Sequence, residues 1–271
     1  MDEITESINK KTSISLSRNS PVALIIGAGS FIGSNLVDRL LDKGIQVVGI
    51  DDLENGEKRN LRKAVENKNF HLVIESPDKA DLELARLDYL FIVPSSKWNL
   101  QKVLELFKET KCRCLLVSSI ALYEKEYEDR EAKLLKSLEA EIAKYAGVHK
   151  LNARILRLGS VYGPRMNFNT KDPLIKLIQQ SLTGDLQKLV SLEFSSRALY
   201  ISDAVELIIK TIFAGSTAQK IFDGVLPAPI KISETKQVLL DPVWYENRGF
   251  SPSELPPWPT PNLDKTIKIL N

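Results

Sequence analysis

The sequence predicts an α/β protein in which a doubly wound parallel sheet is covered by helices on both faces. Two observations lead to this expectation. Between residues 22 and 158, short runs of Val, Ile and Leu alternate with longer segments whose apolar residues recur every three or four positions. Such alternation is typical of parallel strands that are joined by helices. A glycine-rich turn also lies between the first strand and the first helix, where sheets of this kind often carry one.

The predicted strands share short apolar runs, and the predicted helices share amphipathic spacing. Strands are expected at residues 22–26, 46–50, 70–74, 88–93, 113–118 and 153–158. Helices are expected at residues 34–43, near 57–67, near 79–86, at 98–110 and near 129–146. After Gly163 and Pro164 the pattern changes, with helices expected near 171–183 and from Asp203 to Ala214 and a short regular stretch near 188–194.

Residues 22–52, VALIIGAGSFIGSNLVDRLLDKGIQVVGIDD, have the pattern of a dinucleotide-binding βαβ unit. Glycines are needed in its turn because a side chain would keep the backbone away from a pyrophosphate, which the helix N-terminus then binds. Asp51 ends the second strand, where a carboxylate can accept hydrogen bonds from both ribose hydroxyls and would repel a 2′-phosphate. The unit therefore predicts a Rossmann-type domain that binds NAD rather than NADP. Its predicted cofactor-binding residues are Gly27, Gly29, Ser30, Phe31, Ile32, Gly33, Asp51 and Asp52.

Three parts of the chain are expected. Residues 1–20 are rich in Ser, Thr, Asn and charge, which predicts a flexible N-terminal arm. Residues 21–165 are assigned to the Rossmann-type domain. Residues 166–271 are assigned to a small α+β lobe that is interleaved with the last elements of the sheet. Prolines clustered between Pro227 and Pro261 disfavour long regular elements near its end.

Charge and hydropathy disfavour several classes of function. With 37 basic and 35 acidic residues the formal net charge is +2, so no global attraction to nucleic acid or to an anionic membrane is expected. No apolar run reaches membrane-spanning length and the first twenty residues lack an apolar signal core, which predicts a cytoplasmic protein. The basic run from Lys58 to Lys63 is interleaved with acids and is expected to be a solvated helix face, with contact to the adenosine edge or to a 2′-phosphate as the alternative.

Cys112 and Cys114 lie two residues apart in a predicted strand, so their side chains point to the same face. The chain has two histidines, His71 and His149, and neither is close to the cysteines in sequence. A zinc site would lack ligands, and no metal is expected. The cysteines are predicted to be buried free thiols.

Several further motifs follow the glycine turn GAGSFIGSNL. They are IDDLENGEKRNL, LDYLFIV, VSSIALY, RLGSVYGPRM and SRALYISDAVELI. With these motifs the chain, from Val22 to Gly224, resembles the extended short-chain dehydrogenase/reductase superfamily of NAD-dependent nucleotide-sugar epimerases, dehydratases and decarboxylases. GEKRNL and GPRMNFN look most like the UDP-glucuronate decarboxylases.

The resemblance implies a reaction in which bound NAD takes a hydride from a sugar carbon and returns it after the keto-sugar has changed. In the family, a Ser or Thr after the fifth strand and the Tyr and Lys of a Tyr-x-x-x-Lys helix carry this reaction. The tyrosine can remove a hydroxyl proton near neutral pH because a nearby ammonium and the nicotinamide charge lower its pKa. Ser119 matches the family serine, and Lys133 matches the lysine, which also binds the nicotinamide ribose.

The family tyrosine is missing from this sequence, since Asp129 stands four residues before Lys133. Residues i and i+4 share a helix face, so Tyr127, six residues before Lys133, reaches the site only from a non-helical loop. Tyr123 is a second candidate by proximity. The catalytic candidates are therefore Ser119, Lys133, Tyr123 and Tyr127. In the cofactor site, Ser30 and Ser76 stand where the family has glycine and aspartate, and the Ser30 hydroxyl either donates to phosphate or narrows its approach.

Three cations are candidates for binding a nucleotide sugar. Arg197 aligns with a family arginine that binds the diphosphate, and a surface ion pair with Glu193 or Asp203 is the alternative. Arg165 either binds an anion or caps its turn. Lys97 follows the fourth strand and either approaches the substrate or remains solvated.

The leading hypothesis is an NAD-binding member of the nucleotide-sugar epimerase/dehydratase type with a degraded active site. A homodimer is implied by the resemblance, through the helices 98–110 and 129–146. A non-catalytic dinucleotide-binding subunit, regulatory or structural, is the second hypothesis. An RNA-binding member is the third, and the absence of a basic run interleaved with aromatic residues disfavours it.

Overall fold

A seven-stranded sheet organises the chain in the computed structural model, which describes residues 12–13, 17, 19–94, 98–123, 130–168, 172–183, 195–215, 220–226 and 230–231. Its strands are β1 (Val22–Ile26), β2 (Gln46–Ile50), β3 (Phe70–Val73), β4 (Tyr89–Ile92), β5 (Arg113–Ser119), β6 (Asn152–Leu158) and β7 (Ile221–Gly224). The strand order across the sheet is β7-β6-β5-β4-β1-β2-β3, and every neighbouring pair is parallel. The predicted doubly wound parallel sheet is confirmed.

The strand order reverses at β1. From β1 the chain builds β2 and β3 towards one edge, and then returns to build β4 to β7 towards the other. In open parallel sheets of this kind, ligands bind in the crevice at the carboxyl ends of the strands where the order reverses. The crevice between the ends of β1 and β4 is therefore the first place to look for a site.

Helices cover both faces of the sheet. They are α1 (Phe31–Asp42), α2 (Gln101–Thr110), α3 (Arg130–His149), α4 (Pro173–Thr183) and α5 (Ile201–Phe213). All five residues of β1 are buried, and they alternate between two apolar cores. Ala23 and Ile25 pack in the core that contains α1 and α5, whereas Leu24 and Ile26 pack in the core that contains α2 and α3. A strand buried on both faces explains the continuous apolar run in the sequence.

A smaller third cluster packs outside the two sheet cores. It joins Leu177 and Ile178 of α4 to Tyr162 and Ala198. Two pairs of two-residue strands belong to this part of the chain: Val161–Tyr162 with Leu199–Tyr200, and Ser195–Ser196 with Ile230–Lys231. The stretch expected near 188–194 lies outside the described residues.

Two segments differ from the expected secondary structure because tertiary contacts compete with helix formation. Residues near 57–67 form two short 3-10 helices, Lys58–Leu61 and Ala64–Glu66, rather than one α-helix. The helix expected near 79–86 is absent from the described structure, where Leu82–Glu83 instead pair in parallel with Thr12–Ser13. The backbone of this second segment therefore bonds to residues near the N-terminus rather than to itself.

The last strand of the sheet, Ile221–Gly224, has no counterpart among the predicted strands. Burial alternates along it, with Phe222 and Gly224 buried and Ile221 and Asp223 exposed, as suits a strand at the edge of the sheet. Its sequence, IFDG, contains Asp and Gly, which are depleted in strands, so its composition does not indicate one. Among the described helices, none has the length and apolar character to span a membrane.

Candidate functional site: a crevice at the glycine turn

The glycine turn after β1 is shaped by close backbone contacts. Gly27 has a φ of +86°, and a Cβ at this position would lie 2.0 Å from the carbonyl oxygen of Val93. A Cβ on Gly33 would lie 2.0 Å from the carbonyl oxygen of Gly27. Both positions therefore require glycine, because any side chain would separate β1 from the end of β4 or from α1.

Ser30 begins helix α1 as its N-cap. Its hydroxyl accepts a hydrogen bond from the Gly33 amide at 3.1 Å and donates one to the Gly27 carbonyl at 2.7 Å. The serine thus closes the turn where the family pattern has a glycine, and its proton is directed into the turn. Within the described residues, nothing accepts a hydrogen bond from the amides of Phe31 or Ile32. Those two amides remain available to an anion at the helix N-terminus.

The Asp51 carboxylate lies completely buried behind the turn. Its Oδ2 accepts a hydrogen bond from the Gly29 amide and its Oδ1 accepts one from the Leu53 amide, both at 2.8 Å. Burial raises the pKa of this carboxyl above its ordinary value, although the backbone hydrogen bonds act in the opposite direction. Asp51 therefore holds the glycine turn together. Its predicted contact with the ribose hydroxyls remains a prediction.

The GEKRNL segment packs against the same turn. The Asn60 side chain is buried and donates to the Gly29 carbonyl at 3.0 Å, and the Glu57 amide donates to the same oxygen at 3.0 Å. A Cβ on Gly56 would lie 2.7 Å from Oδ1 of Asp51. These contacts explain why the motif has glycine and asparagine at these positions. They also explain why the expected α-helix does not form. Roles for Gly56 and Asn60 were not predicted from the sequence.

The basic run that follows is solvent-exposed. Arg59 pairs with Glu57, and the Lys63 ammonium lies 3.9 Å from the Asp42 carboxylate. The side chains of Lys58 and Arg62 are exposed as well. This arrangement agrees with the expected solvated face.

Trp98 lies beside the turn and was not singled out from the sequence. Its indole Nε1 donates to Oδ2 of Asp52 at 2.5 Å, and its Cη2 lies 3.5 Å from the point where a Cβ on Gly27 would stand. The ring is half-buried and packs against the core of α2 and α3. A tryptophan just after a predicted core strand, at the carboxyl end of the sheet, was the available signal.

The candidate catalytic residues at and after the end of the fifth strand also lie at the carboxyl ends of the strands. Ser119 ends β5, and its Oγ accepts a hydrogen bond from the Ala121 amide at 3.2 Å. Tyr123 ends a 3-10 helix, Ile120–Tyr123, and is 58% exposed. Its hydroxyl lies 3.3 Å from Asp223 of β7, and the Arg157 guanidinium stacks on its ring at 4.7 Å. Tyr123 is therefore engaged with groups from β6 and β7.

The remaining catalytic candidates are placed only in part. Lys133 lies in the first turn of α3 with its side chain exposed, next to the buried Ala132. Tyr127 and Asp129 lie outside the described residues. The structure thus does not bring a tyrosine and Lys133 together within its described part.

A buried polar network joins β5, α3 and β6. Glu139 of α3 is 8% exposed, and its carboxylate accepts hydrogen bonds from Ser118 Oγ at 2.5 Å and from Arg157 Nη2 at 2.6 Å. The hydrogen bond to Glu139 is the largest factor that raises the pKa of the Arg157 guanidinium above its ordinary value. The sequence signal for this network was a carboxylate on the apolar stripe of α3, between Leu135 and Ile142.

The candidate substrate cations differ in their surroundings. Arg165 pairs with Asp38 of α1 at 2.6 Å, so its charge is already balanced. Arg197 is exposed, and its Nη1 donates to the Leu226 carbonyl at 3.0 Å. Lys97 lies outside the described residues.

Cys112 and Cys114 are free and buried, as predicted. Burial raises the pKa of the Cys112 thiol to about 11, and it raises the pKa of Cys114 as well. Both thiols therefore pack in the core of α2 and α3 as small apolar groups.

Comparison with known proteins identifies the family. The family model described as the NAD dependent epimerase/dehydratase family matches residues 23–222. The chain belongs to this family. UDP-glucuronic acid decarboxylase 3 of Arabidopsis thaliana is 26% identical over 258 residues, which cover 81% of this chain and 74% of that protein. UDP-glucuronic acid decarboxylase 1 of Xenopus tropicalis is 25% identical over 69% of this chain, and the match spans about half of its length, 52%.

A solved structure has a similar fold. UDP-glucuronic acid 4-epimerase from Bacillus cereus, in complex with UDP-glucuronic acid and NAD, superposes with a TM-score of 0.68 at 19% identity, and 92% of each chain is covered. This likeness supports the fold of the epimerase/dehydratase family for the chain. Within that fold, the structure brings the glycine turn, Asp51 and Asp52 together at the carboxyl ends of β1 and β2. Ser119 and Tyr123 lie several strands away, at the ends of β5 to β7.

Proposed function

We propose that this epimerase/dehydratase family member binds NAD(H) at the glycine turn and has lost hydride transfer, because it lacks the family tyrosine that acts together with the lysine matched by Lys133. The observation that carries the proposal is the turn itself. Ser30 caps α1 but leaves the amides of Phe31 and Ile32 without an acceptor among the described residues. These amides and the positive end of the helix dipole suit a diphosphate.

The loss of hydride transfer is inferred from the groups available as a base. Bound NAD would supply the hydride acceptor, and the protein has to remove the hydroxyl proton. Asp129 stands at the tyrosine position, and a carboxyl with an ordinary pKa of about 3.9 is a weak base for a sugar hydroxyl. Tyr123 is turned towards Asp223 and Arg157. Neither residue suits the role of the family tyrosine.

We also propose that a nucleotide sugar is the second ligand. The support is the family itself and relatives that are named for UDP-glucuronic acid. Arg197 is the candidate cation for its diphosphate, because it is exposed and aligns with the family arginine that binds this group. Replacing Arg197 with Gln is expected to weaken UDP-sugar binding and to leave NAD(H) binding unchanged.

Release of the cofactor tests the binding part of the proposal. Purified protein is denatured, and the supernatant is analysed for NAD(H) by mass and by absorbance. Bound NAD(H) is expected either as purified or after incubation with the cofactor. Native protein is then mixed with NAD and UDP-glucuronic acid, and the absorbance of reduced nicotinamide and the sugar products are followed. Neither reduced nicotinamide nor a new sugar is expected.

An active enzyme that uses Tyr127 as its base is the second candidate. It is favoured by the retained Ser119 and Lys133 and by a tyrosine six residues before that lysine. If UDP-sugar turnover is observed, the variants Tyr123→Phe and Tyr127→Phe show which tyrosine is the base. An enzyme that uses Tyr127 would lose turnover in Tyr127→Phe. Equal turnover in both variants and in the wild type would exclude both of these tyrosines as the base.

A further inference from the structure

Trp98 crosses the crevice where the strand order reverses. It follows β4, its ring lies against Gly27 at the end of β1, and its Nε1 bonds to Asp52 at the end of β2. One side chain thus spans three neighbouring strand ends, at the position where an open parallel sheet binds its ligand.

The indole lies at the adenosine end of that crevice. In dinucleotide-binding units the acidic residue after the second strand marks the adenosine ribose, and Asp51 and Asp52 occupy this place. Asp51 is buried, with both oxygens bonded to backbone amides. Asp52 is half-buried, and Oδ2 of Asp52 accepts from the indole. The carboxylate nearest the crevice is therefore bonded to Trp98.

An indole is a suitable internal substitute for an adenosine group. Both contain a flat bicyclic ring that can lie against backbone and apolar side chains. The indole N–H also gives the Asp52 carboxylate a donor, as a ribose hydroxyl or an adenine amine would. The hydrogen bond of 2.5 Å involves a charged acceptor and belongs to the stronger class.

We propose that Trp98 occupies the adenosine end of the crevice, and that NAD(H) binds by displacing the indole from Gly27 and Asp52. The inference rests on the proposed NAD(H) binding. An internal occupant weakens binding, because the apparent affinity equals the intrinsic affinity multiplied by the fraction of molecules in which the crevice is open. Trp98 thereby determines how tightly the cofactor is held.

Removal of the indole tests the proposal because it predicts a gain of affinity. NADH and ADP-ribose are titrated calorimetrically into the wild type, Trp98→Ala and Trp98→Phe. Trp98→Ala is expected to bind both ligands about tenfold more tightly, which corresponds to about 1.4 kcal/mol. Trp98→Phe keeps an aromatic ring without the donor, so an intermediate gain is expected. ADP-ribose contains the adenosine end of NADH, so its affinity is expected to increase as much as that of NADH.

Tyr145→Ala is the matched control. Tyr145 is also a half-buried aromatic residue that packs on the core of α2 and α3, but it lies in α3 beside His149. Its removal is expected to lower stability without changing NADH affinity. Circular dichroism and thermal unfolding establish that each variant is folded.

Equal or weaker binding by Trp98→Ala would overturn the proposal, because a residue that merely lines the site loses affinity on truncation. If Trp98→Ala does not fold, equal or weaker binding by Trp98→Phe has the same meaning. If Trp98→Ala binds NADH more tightly but not ADP-ribose, the indole does not occupy the place of the adenosine group. Absence of NADH binding in every variant overturns the proposed function together with this inference, whereas binding by the wild type alone overturns the inference only.

Discussion

At the scale of single residues, Asp51 links sequence to site most directly. Its position after β2 predicts a ligand contact, yet its oxygens bond to the amides of Gly29 and Leu53. Those bonds fix the backbone of the turn whether or not a dinucleotide is present. The residue is therefore expected to matter for stability as well as for binding.

Asp51→Asn is expected to lower the free energy of unfolding by about 1–3 kcal/mol. An amide oxygen can replace one carboxylate oxygen, but the amide nitrogen would then face a backbone N–H and leave it unpaired. Denaturant unfolding without cofactor measures the change. Asp42→Asn, at an exposed site near the end of α1, is the matched control and is expected to have little effect. An Asp51 variant as stable as the wild type would show that the two hydrogen bonds do not hold the turn.

The difference in stability between the wild type and Asp51→Asn is predicted to depend on pH. Burial raises the pKa of Asp51 in the folded state above its ordinary value of 3.8, so the folded state binds the proton more tightly than the unfolded state does. Stability then falls as pH rises from 3.8 through the folded pKa. The stability of the wild type relative to Asp51→Asn should decrease over that interval. An increase over the same interval would contradict the raised pKa.

At the scale of elements, six strands of the sheet and the five α-helices could be predicted, whereas two connecting segments and the last strand could not. Strand β1 could be recognised because a strand buried on both faces must be apolar throughout. The segments near 57–67 and 79–86 could not, because their backbones bond to Gly29 and to Thr12–Ser13, far away in sequence. Local periodicity carries no information about such partners. Trp98 was missed for the same reason, since Asp52 lies 46 residues before it.

Helix α3 is anchored to the sheet through a buried ion pair. Glu139→Gln would leave the Arg157 guanidinium without its carboxylate, and breaking such a pair from one side costs about 3–5 kcal/mol of stability. Glu141→Gln changes an exposed position of the same helix and is expected to be nearly neutral. Chemical denaturation compares the two. Equal effects would mean that the pair contributes no more than an exposed charge.

At the scale of the whole molecule, the candidate cofactor-binding residues and the candidate catalytic residues lie at the carboxyl ends of different strands of the sheet. The glycine turn, Asp51 and Asp52 lie at β1 and β2, whereas Ser119 and Tyr123 lie at the ends of β5 to β7. The first group could be predicted from the sequence because it lies in one continuous βαβ unit. The second could not be assembled, since its residues lie on separate elements of the chain and Asp129 stands where the family has tyrosine.

A cofactor that binds the folded chain alone also raises its stability. The gain is about 2.7 kcal/mol when the free ligand is at a hundred times its dissociation constant. Thermal unfolding in saturating NADH should therefore shift upward relative to the ligand-free protein. A midpoint that does not change with NADH concentration would contradict binding to the folded state.

Equilibrium titration of the purified protein with NADH tests the central claim most directly. Calorimetry is expected to record saturable binding at one site per chain, because the capped helix N-terminus and the glycine turn form one crevice. Absence of saturable binding by a demonstrably folded protein would contradict the account.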